Sequence, residues 1–348
     1  MTKVLVIDDD PVSAEMLRGT LEHFGYEVQY ECDGVEGFER IRSGEYSIVI
    51  SDWDMPGMRG DELCRMVRDR QWSGYIYFIL LTSHGDMAHL VSGLRSGADD
   101  FLVKPFHPEE LRVRLRTGER LLAMESRDVL LFTLAKLTES RDNETGLHLE
   151  RMREYGRVLT EELSLWKEFK DEVDGDFVQM MYLTLPLHDI GKVGIPDSIL
   201  LKPGKLTTEE FEVMKQHAAI GGNTLAAAVE VNPHAKYLQI ARDIAYYHHE
   251  KWDGSGYPFG LAGDNIPLCG RITALADVYD ALTSKRVYKD KFSNDKAKSI
   301  ILEGSGRHFD PRIVEAFLAN EERFLEISRQ LDSSHAKAEA PPLVPATV

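Results

Sequence analysis

Cysteine is scarce in this chain: three in 348 residues, Cys32, Cys64 and Cys269, far apart, odd in number and without a C-x-x-C spacing. They offer no basis for a disulfide framework and read as buried thiols in a reducing compartment. Long apolar runs are missing too. The longest, near Tyr75 to Leu81, is less than half of what crosses a bilayer, and the N-terminus begins a polar-ended strand instead of a signal peptide. A cytoplasmic protein without membrane insertion is expected. Positive charge is in deficit: 41 Lys and Arg against 58 Asp and Glu leave a net charge of -17. That balance repels polyanions, so no nucleic-acid polymer is expected as a partner, while a local basic pocket for a small anion stays compatible with it.

What is present is enough for packed cores: 43% of the residues are apolar, and the length suits two domains and a connector. Val4-Leu5-Val6-Ile7 is a continuous β-branched run ending at Asp8-Asp9-Asp10. This is the pattern of a buried parallel strand that delivers acids to its carboxyl end. Tyr46 to Ile50 followed by Ser51-Asp52, Tyr75 to Leu81 followed by Thr82-Ser83, and Phe101 to Val103 followed by Lys104-Pro105 repeat the strand-then-polar pattern. Alternation with helical periods, as through Met16, Leu17 and Leu21, predicts an open α/β sheet whose functional groups collect beyond the strand ends. Carboxylates, a hydroxyl and a lysine at one edge suit Mg2+ and a phosphoryl group, since that ion takes hard oxygen ligands and keeps positions for phosphate oxygens.

Over residues 1–120 the sequence resembles the response-regulator receiver domain, a doubly wound α/β fold with a parallel five-stranded sheet. By that resemblance Asp52 would accept a phosphoryl group from a cognate sensor histidine kinase, and Asp8 and Asp9 would bind Mg2+. Thr82 and Lys104 would contact the phosphoryl oxygens, Phe101 would hold the aromatic switch position, and Lys104-Pro105 falls where the family has a cis peptide.

Glu109 to Glu144 holds no proline and only Gly118, with Leu111, Leu115, Leu122, Val129, Phe132 and Leu137 at helical spacing. The last receiver helix is expected to run on through a connector at 121–143, with a break near Gly118. Such a stripe serves either as a homodimer seam or as packing on its own domain.

Beyond the connector the strand signal nearly vanishes, which predicts an all-α domain over 144–330, followed by a disordered tail at 331–348. Histidines and acids recur there at positions no apolar face needs. Leu187-His188-Asp189-Ile190-Gly191-Lys192 places His188 and Lys192 on one face of a helix with Asp189 beside them. Glu144 and His148 stand at i and i+4; His217, His248-His249 and Asp277 follow. Asp280 reads as a capping acid, His234 as a loop residue and His308 as a packed helix cap. A set of inward-facing imidazoles and carboxylates needs compensating charge. Divalent metal ions supply it, and a pair of them fits phosphodiester hydrolysis.

The segments Glu144-Thr145-Gly146-Leu147-His148, His188 to Lys192, His248-His249-Glu250-Lys251-Trp252-Asp253-Gly254-Ser255-Gly256-Tyr257-Pro258, and Ile272 to Asp280 resemble the HD-GYP domain, a cyclic di-GMP phosphodiesterase branch of the HD phosphohydrolase superfamily. The resemblance implies that His148, His188, Asp189 and Asp277 surround one metal and that His217, His248 and His249 surround a second, with Asp189 bridging. Glu144 would support a third, so two or three ions are implied, Fe or Mn foremost, with Ni and Zn also suited. Asp189 and Lys192 would be catalytic, Lys192 by stabilising a developing anion. Tyr257, Arg286 and Lys289 would contact the dinucleotide; read alone, the two cations are solvated surface charges. The expected activity is metal-dependent opening of cyclic di-GMP to pGpG and onward to GMP, controlled through Asp52. A non-catalytic sensor of metal and dinucleotide, and a hydrolase of mixed cyclic GMP-AMP, are the alternatives.

Overall fold

In the computed structural model the described residues are 2–70, 72, 74–83, 93, 95–141, 147–284 and 291–338. The chain divides into two compact units, Met1–Val129 and Leu130–Val348.

In the first unit five parallel strands, β1 (Lys3–Ile7), β2 (Glu27–Glu31), β3 (Ile48–Asp52), β4 (Tyr77–Thr82) and β5 (Asp100–Val103), lie in the order β2-β1-β3-β4-β5. Alternate residues serve opposite faces. Leu5, Ile7, Val49, Phe78 and Leu80 enter one core, and Val4, Val6, Ile48, Ile50, Ile79 and Leu81 the other. Burial on both faces is why these strands read as unbroken apolar runs. The register sets Ser51 beside Ile7, Leu81 beside Asp52 and Val103 beside Thr82, so Asp8, Asp52, Thr82 and Lys104 emerge at one edge. This is the switch point of the sheet, where β1 has β2 on one side and β3 on the other.

The helix Pro108–Glu139 is continuous. No break occurs at Gly118, and the helix runs on, as expected, into the connector stretch as far as Glu139. Glycine stands at 118 for a different reason: a Cβ there would lie 2.4 Å from the Tyr77 ring. The expected tail also differs, because the helix Glu321–Ala338 runs well past residue 331; residues 339–348 lie outside the described set.

The second unit has no strand among its described residues apart from two isolated bridges. Its helices start at recognisable caps. Asp174 accepts from the Phe177 amide, Thr207 and Glu210 form a capping box, Ser293 caps Asn294–Glu303, and Asp310 precedes Pro311 at the first helical position. The main core gathers Met152, Tyr155, Leu159, Leu185, Ile272, Leu275, Tyr279, Phe317 and Phe324 around the helices His148–Ser164 and Leu268–Thr283. Tyr155 and Phe324 stack at 4.5 Å. A smaller cluster joins Ala135 to Leu149, Leu187, Leu225, Ala241 and Ala245.

His188 and Lys192 do not share an α-helix. The segment is two short 3-10 turns, Leu185–Leu187 and Ile190–Gly194, and His188-Asp189 forms the joint between them. Gly191 permits this: a Cβ there would lie 1.9 Å from the His217 carbonyl oxygen, so any larger residue would drive the turn off the helix Gln216–Val231.

Candidate metal centre and receiver site

Four elements of the second unit deliver the imidazoles. His148 opens the helix His148–Ser164, His217 lies in the first turn of Gln216–Val231, and His248 and His249 follow the last turn of Lys236–Tyr247. His188 sits in the 3-10 joint, and Asp277 projects from Leu268–Thr283. The ligand atoms fall into two groups, each within 4.8 Å: Asp189 with His217, His248 and His249, and His188 with His148 and Asp277. Asp189 joins them, with Oδ2 3.2 Å from His188 Nε2 and Oδ1 3.2 Å from His217 Nε2 and 3.7 Å from His248 Nε2. The Nε2 atoms of His217 and His248 are 3.3 Å apart.

The ring orientations explain which atom faces the cluster. Nδ1 of His188 donates to the Leu185 carbonyl at 3.0 Å, that of His217 to Met214 at 2.7 Å, and that of His248 to Ile244 at 3.0 Å. With the proton committed to Nδ1, the Nε2 lone pair is left pointing inward, which is the arrangement of a metal-ligating histidine. Buried Asp189 Oδ1 and His188 Nε2 make no hydrogen bond with a described residue. Burying such acceptors uncompensated is costly, so the donor set fits divalent cations.

Electrostatics agrees. Burial first, then neighbouring His188, pushes His248 down to about 3, and burial followed by His248 pushes His249 well below the usual imidazole range. Both rings are therefore neutral, the ligand form, at neutral pH. Burial alone would raise Asp189 and lower His188. The Lys192 ammonium and His188 outweigh it for Asp189, holding that carboxylate well below its ordinary value, and the Asp189 charge outweighs it for His188, whose pKa is raised. A cation bound between them would compensate the same carboxylate charge. Lys192 Nζ lies 2.9 Å from Asp189 Oδ2. Tyr257, held by its amide on the His249 carbonyl, packs its ring 4.7 Å from the His249 ring. Glu144, Arg286 and Lys289 lie outside the described residues.

Asp280 is not a helix cap. It is 1% exposed and accepts from His148 Nδ1 at 2.7 Å and from Nε and Nη2 of Arg151. Burial would raise its pKa, yet the His148 and Arg151 interactions hold it down to about 2. It stands where a carboxylate fixes the tautomer of a metal-ligating histidine. The signal available in the sequence was an acid three residues after Asp277, inside an apolar helix.

Glu250, 2% exposed, is a second buried acid whose role the sequence does not signal. Its carboxylate accepts from the amides of Phe259, Gly260 and Leu261 at 2.7, 3.1 and 3.1 Å, and so shapes the loop that presents Tyr257. Gly256 belongs to the same device, because a Cβ there would lie 2.4 Å from the Lys251 nitrogen. His308 stacks on Phe309 at 4.3 Å and His234 is exposed.

At the strand ends of the first unit, Asp8, Asp9 and Asp52 present oxygens within 4.8 Å of one another. Lys104 Nζ reaches Asp8 at 2.8 Å and Asp52 at 3.1 Å. Burial raises the Asp52 pKa against the opposing Lys104 charge. Thr82 is buried at the end of β4, the Arg114 guanidinium lies 5.8 Å from the Phe101 ring centre, and the Lys104-Pro105 peptide is cis.

A family model described as an HD domain matches residues 134–313, and one described as a response regulator receiver domain matches residues 4–116. The chain is 38% identical to a Vibrio cholerae protein named "Probable cyclic di-GMP phosphodiesterase", an alignment spanning 94% of this chain and 79% of that one. It is 37% identical to the Xanthomonas campestris protein "Cyclic di-GMP phosphodiesterase response regulator RpfG", over 96% of this chain and 92% of the relative. A third similar protein, "3'3'-cGAMP-specific phosphodiesterase 2" of Vibrio cholerae, is 43% identical over 60% of this chain and 37% of its own length. Among the described residues no helix is long and apolar enough to cross a membrane.

Proposed function

The chain belongs to the HD-domain family, with a response-regulator receiver ahead of that domain, and on this premise we propose that it hydrolyses cyclic di-GMP to linear pGpG and onward to GMP under the control of Asp52 phosphorylation. The observation that carries the reading is the convergence of His148, His188, Asp189, His217, His248, His249 and Asp277 on two donor groups joined through Asp189.

His148, His188 and Asp277 would hold one ion, and His217, His248 and His249 another, with Asp189 between them. When bound, such ions supply Lewis-acid polarisation of a phosphoryl oxygen and an activated water. Iron or manganese suits this mixed imidazole and carboxylate set, as do nickel and zinc. The chain's own groups do the rest. Asp189 presents one oxygen to each donor group, and Lys192 beside it stabilises the negative charge that grows on the phosphoryl or leaving oxygen. Tyr257 bounds the site on the His249 side and takes a base or phosphate against its ring. Arg286 and Lys289 are assigned to the substrate phosphates, and Glu144 to a third ion.

In the receiver, Asp52 accepts a phosphoryl group from a sensor histidine kinase, with Mg2+ on Asp8 and Asp9. Thr82 and Lys104 take the phosphoryl oxygens, and Phe101 acts as the switch. The helix Pro108–Glu139 begins in the receiver unit and ends beside the metal centre, where Ala135 and Glu139 line a cavity with His148, His188, Asp189 and Lys192. On the same helix Leu130, Leu134 and Leu137, each more than half exposed at i, i+4 and i+7, offer a seam for a second copy of the chain.

The 43% identity to a 3'3'-cGAMP-specific relative favours mixed cyclic GMP-AMP as a second substrate reading. Incubation with Mn2+ or Fe2+ and a panel of cyclic dinucleotides, read by chromatography, decides between them. Cyclic di-GMP is expected to be consumed fastest; faster loss of cyclic GMP-AMP would transfer the assignment, and no product from any member would leave a binding protein.

A further inference from the structure

Beside the inward-facing imidazoles stands an aromatic side chain that belongs to neither buried core cluster of the second unit. Phe211, on the helix Thr208–Met214, is 47% exposed although it lies next to the buried centre. Its ring centre is 6.3 Å from that of Tyr257, with the planes 84° apart. Lys215 Nζ stands 5.7 Å from the Phe211 ring centre and 5.5 Å from that of Tyr257. Tyr257 is anchored to His249 at 4.7 Å and His249 to His217 at 5.0 Å, so this pair of rings is continuous with the metal ligands. We propose that Phe211, Tyr257 and Lys215 form a corner that receives a purine of the substrate and the phosphate that is not being cleaved, and so set its specificity. The inference rests on the cyclic-dinucleotide reading above and adds Phe211 and Lys215 to it.

The geometry suits a purine in particular. Two rings at right angles let one planar base stack on the face of the first and meet the second edge to face, the two arrangements aromatic pairs prefer. A base held this way stays close to the cluster, because the corner begins at His249. An ammonium above both rings is placed by cation-π attraction. Its other partner is Glu212 at 2.6 Å, whose side chain is 61% exposed, and an exposed ion pair of that kind gives way easily to a phosphate.

Steady-state hydrolysis of cyclic di-GMP by the metal-loaded full chain tests the corner with Phe211→Ala, Phe211→Trp and Lys215→Met. Phe211 is exposed, so its replacement leaves the core intact. Phe211→Ala is expected to raise KM roughly 10-fold or more, as loss of one stacked base does. The value of kcat should change by less than about threefold, because binding and not the transition state is affected. Phe211→Trp should restore KM, and Lys215→Met should raise it and flatten its dependence on salt. A wild-type KM in Phe211→Ala, or a fall in kcat with KM unmoved, would overturn the corner alone. Wild-type protein that turns over no cyclic dinucleotide would instead overturn the substrate reading beneath it.

Discussion

Asp280→Asn separates the energetics of the centre from its chemistry. The carboxylate accepts from His148 Nδ1 at 2.7 Å and from two nitrogens of Arg151, whose side chain is itself buried. Asparagine keeps the shape and removes the charge. Arg151 is then left with Asp332, 3.7 Å away on a side chain 54% exposed, a solvated partner that does not replace the one lost. Leaving one member of a buried ion pair behind costs on the order of 3 kcal/mol, so denaturant unfolding in chelator should show a loss of about that size. The second effect is on the imidazole. An amide can present either its oxygen or its NH2 to Nδ1, so the tautomer that aims His148 Nε2 inward is no longer enforced, and metal affinity should fall about 10- to 100-fold. Calorimetric titration with Mn2+ would show this in one class of sites only. In the group built from Asp189, His217, His248 and His249, the Nδ1 atoms of His217 and His248 rest on backbone carbonyls, while Asp280 bonds to His148 and Arg151, so this group should keep its affinity. Wild-type affinity at every site in Asp280→Asn would refute the argument that this carboxylate positions His148.

Glu250→Gln replaces one acceptor of three loop amides by a donor, and should cost about 1 to 3 kcal/mol of thermal stability and raise KM by loosening Tyr257; unchanged melting would show that the loop holds itself. Gly191→Ala puts a Cβ 1.9 Å from the His217 carbonyl, and should displace the His188-Asp189 joint and cut kcat at least about tenfold, as small misplacements of reacting groups do. Asp52→Asn should abolish the change in hydrolysis that acetyl phosphate produces in the wild type; a surviving response would move the phosphorylation site elsewhere.

The sequence carried the fold class far, because buried parallel strands announce themselves as apolar runs such as Val4 to Ile7 and Ile48 to Ile50. His188-Asp189 and His248-His249 were legible for a related reason: contiguous polar pairs inside apolar helical stretches have no packing use. What stayed hidden depended on partners distant in the chain. Asp280 looks like any acid late in a helix until His148 and Arg151, more than a hundred positions earlier, close on it. Glu250 reads in the sequence as one more position of a motif, and only the fold brings the amides of the following loop onto its carboxylate. Gly118 suggested a break because glycine lowers helix propensity, whereas the Tyr77 ring makes it a packing requirement. The shared face of His188 and Lys192 assumes an α-helix, whereas the segment forms 3-10 turns packed so closely on the His217 carbonyl that position 191 admits only glycine. Lys192 reaches Asp189 all the same, since a lysine stem spans either geometry.

The central claim is that seven side chains from five segments of the chain act as one divalent-cation centre for opening a phosphodiester. Its most direct measurement is to strip the purified chain with chelator, reload it with Mn2+ or Fe2+, and follow bound metal by elemental analysis together with consumption of cyclic di-GMP, in the wild type and in the double variant His188→Ala, Asp189→Ala. The wild type should lose activity with its metal and regain both at about two or three ions per chain, while the folded variant should bind less metal and yield no pGpG. Undiminished turnover in the variant, or full activity in the stripped wild type, would contradict the account.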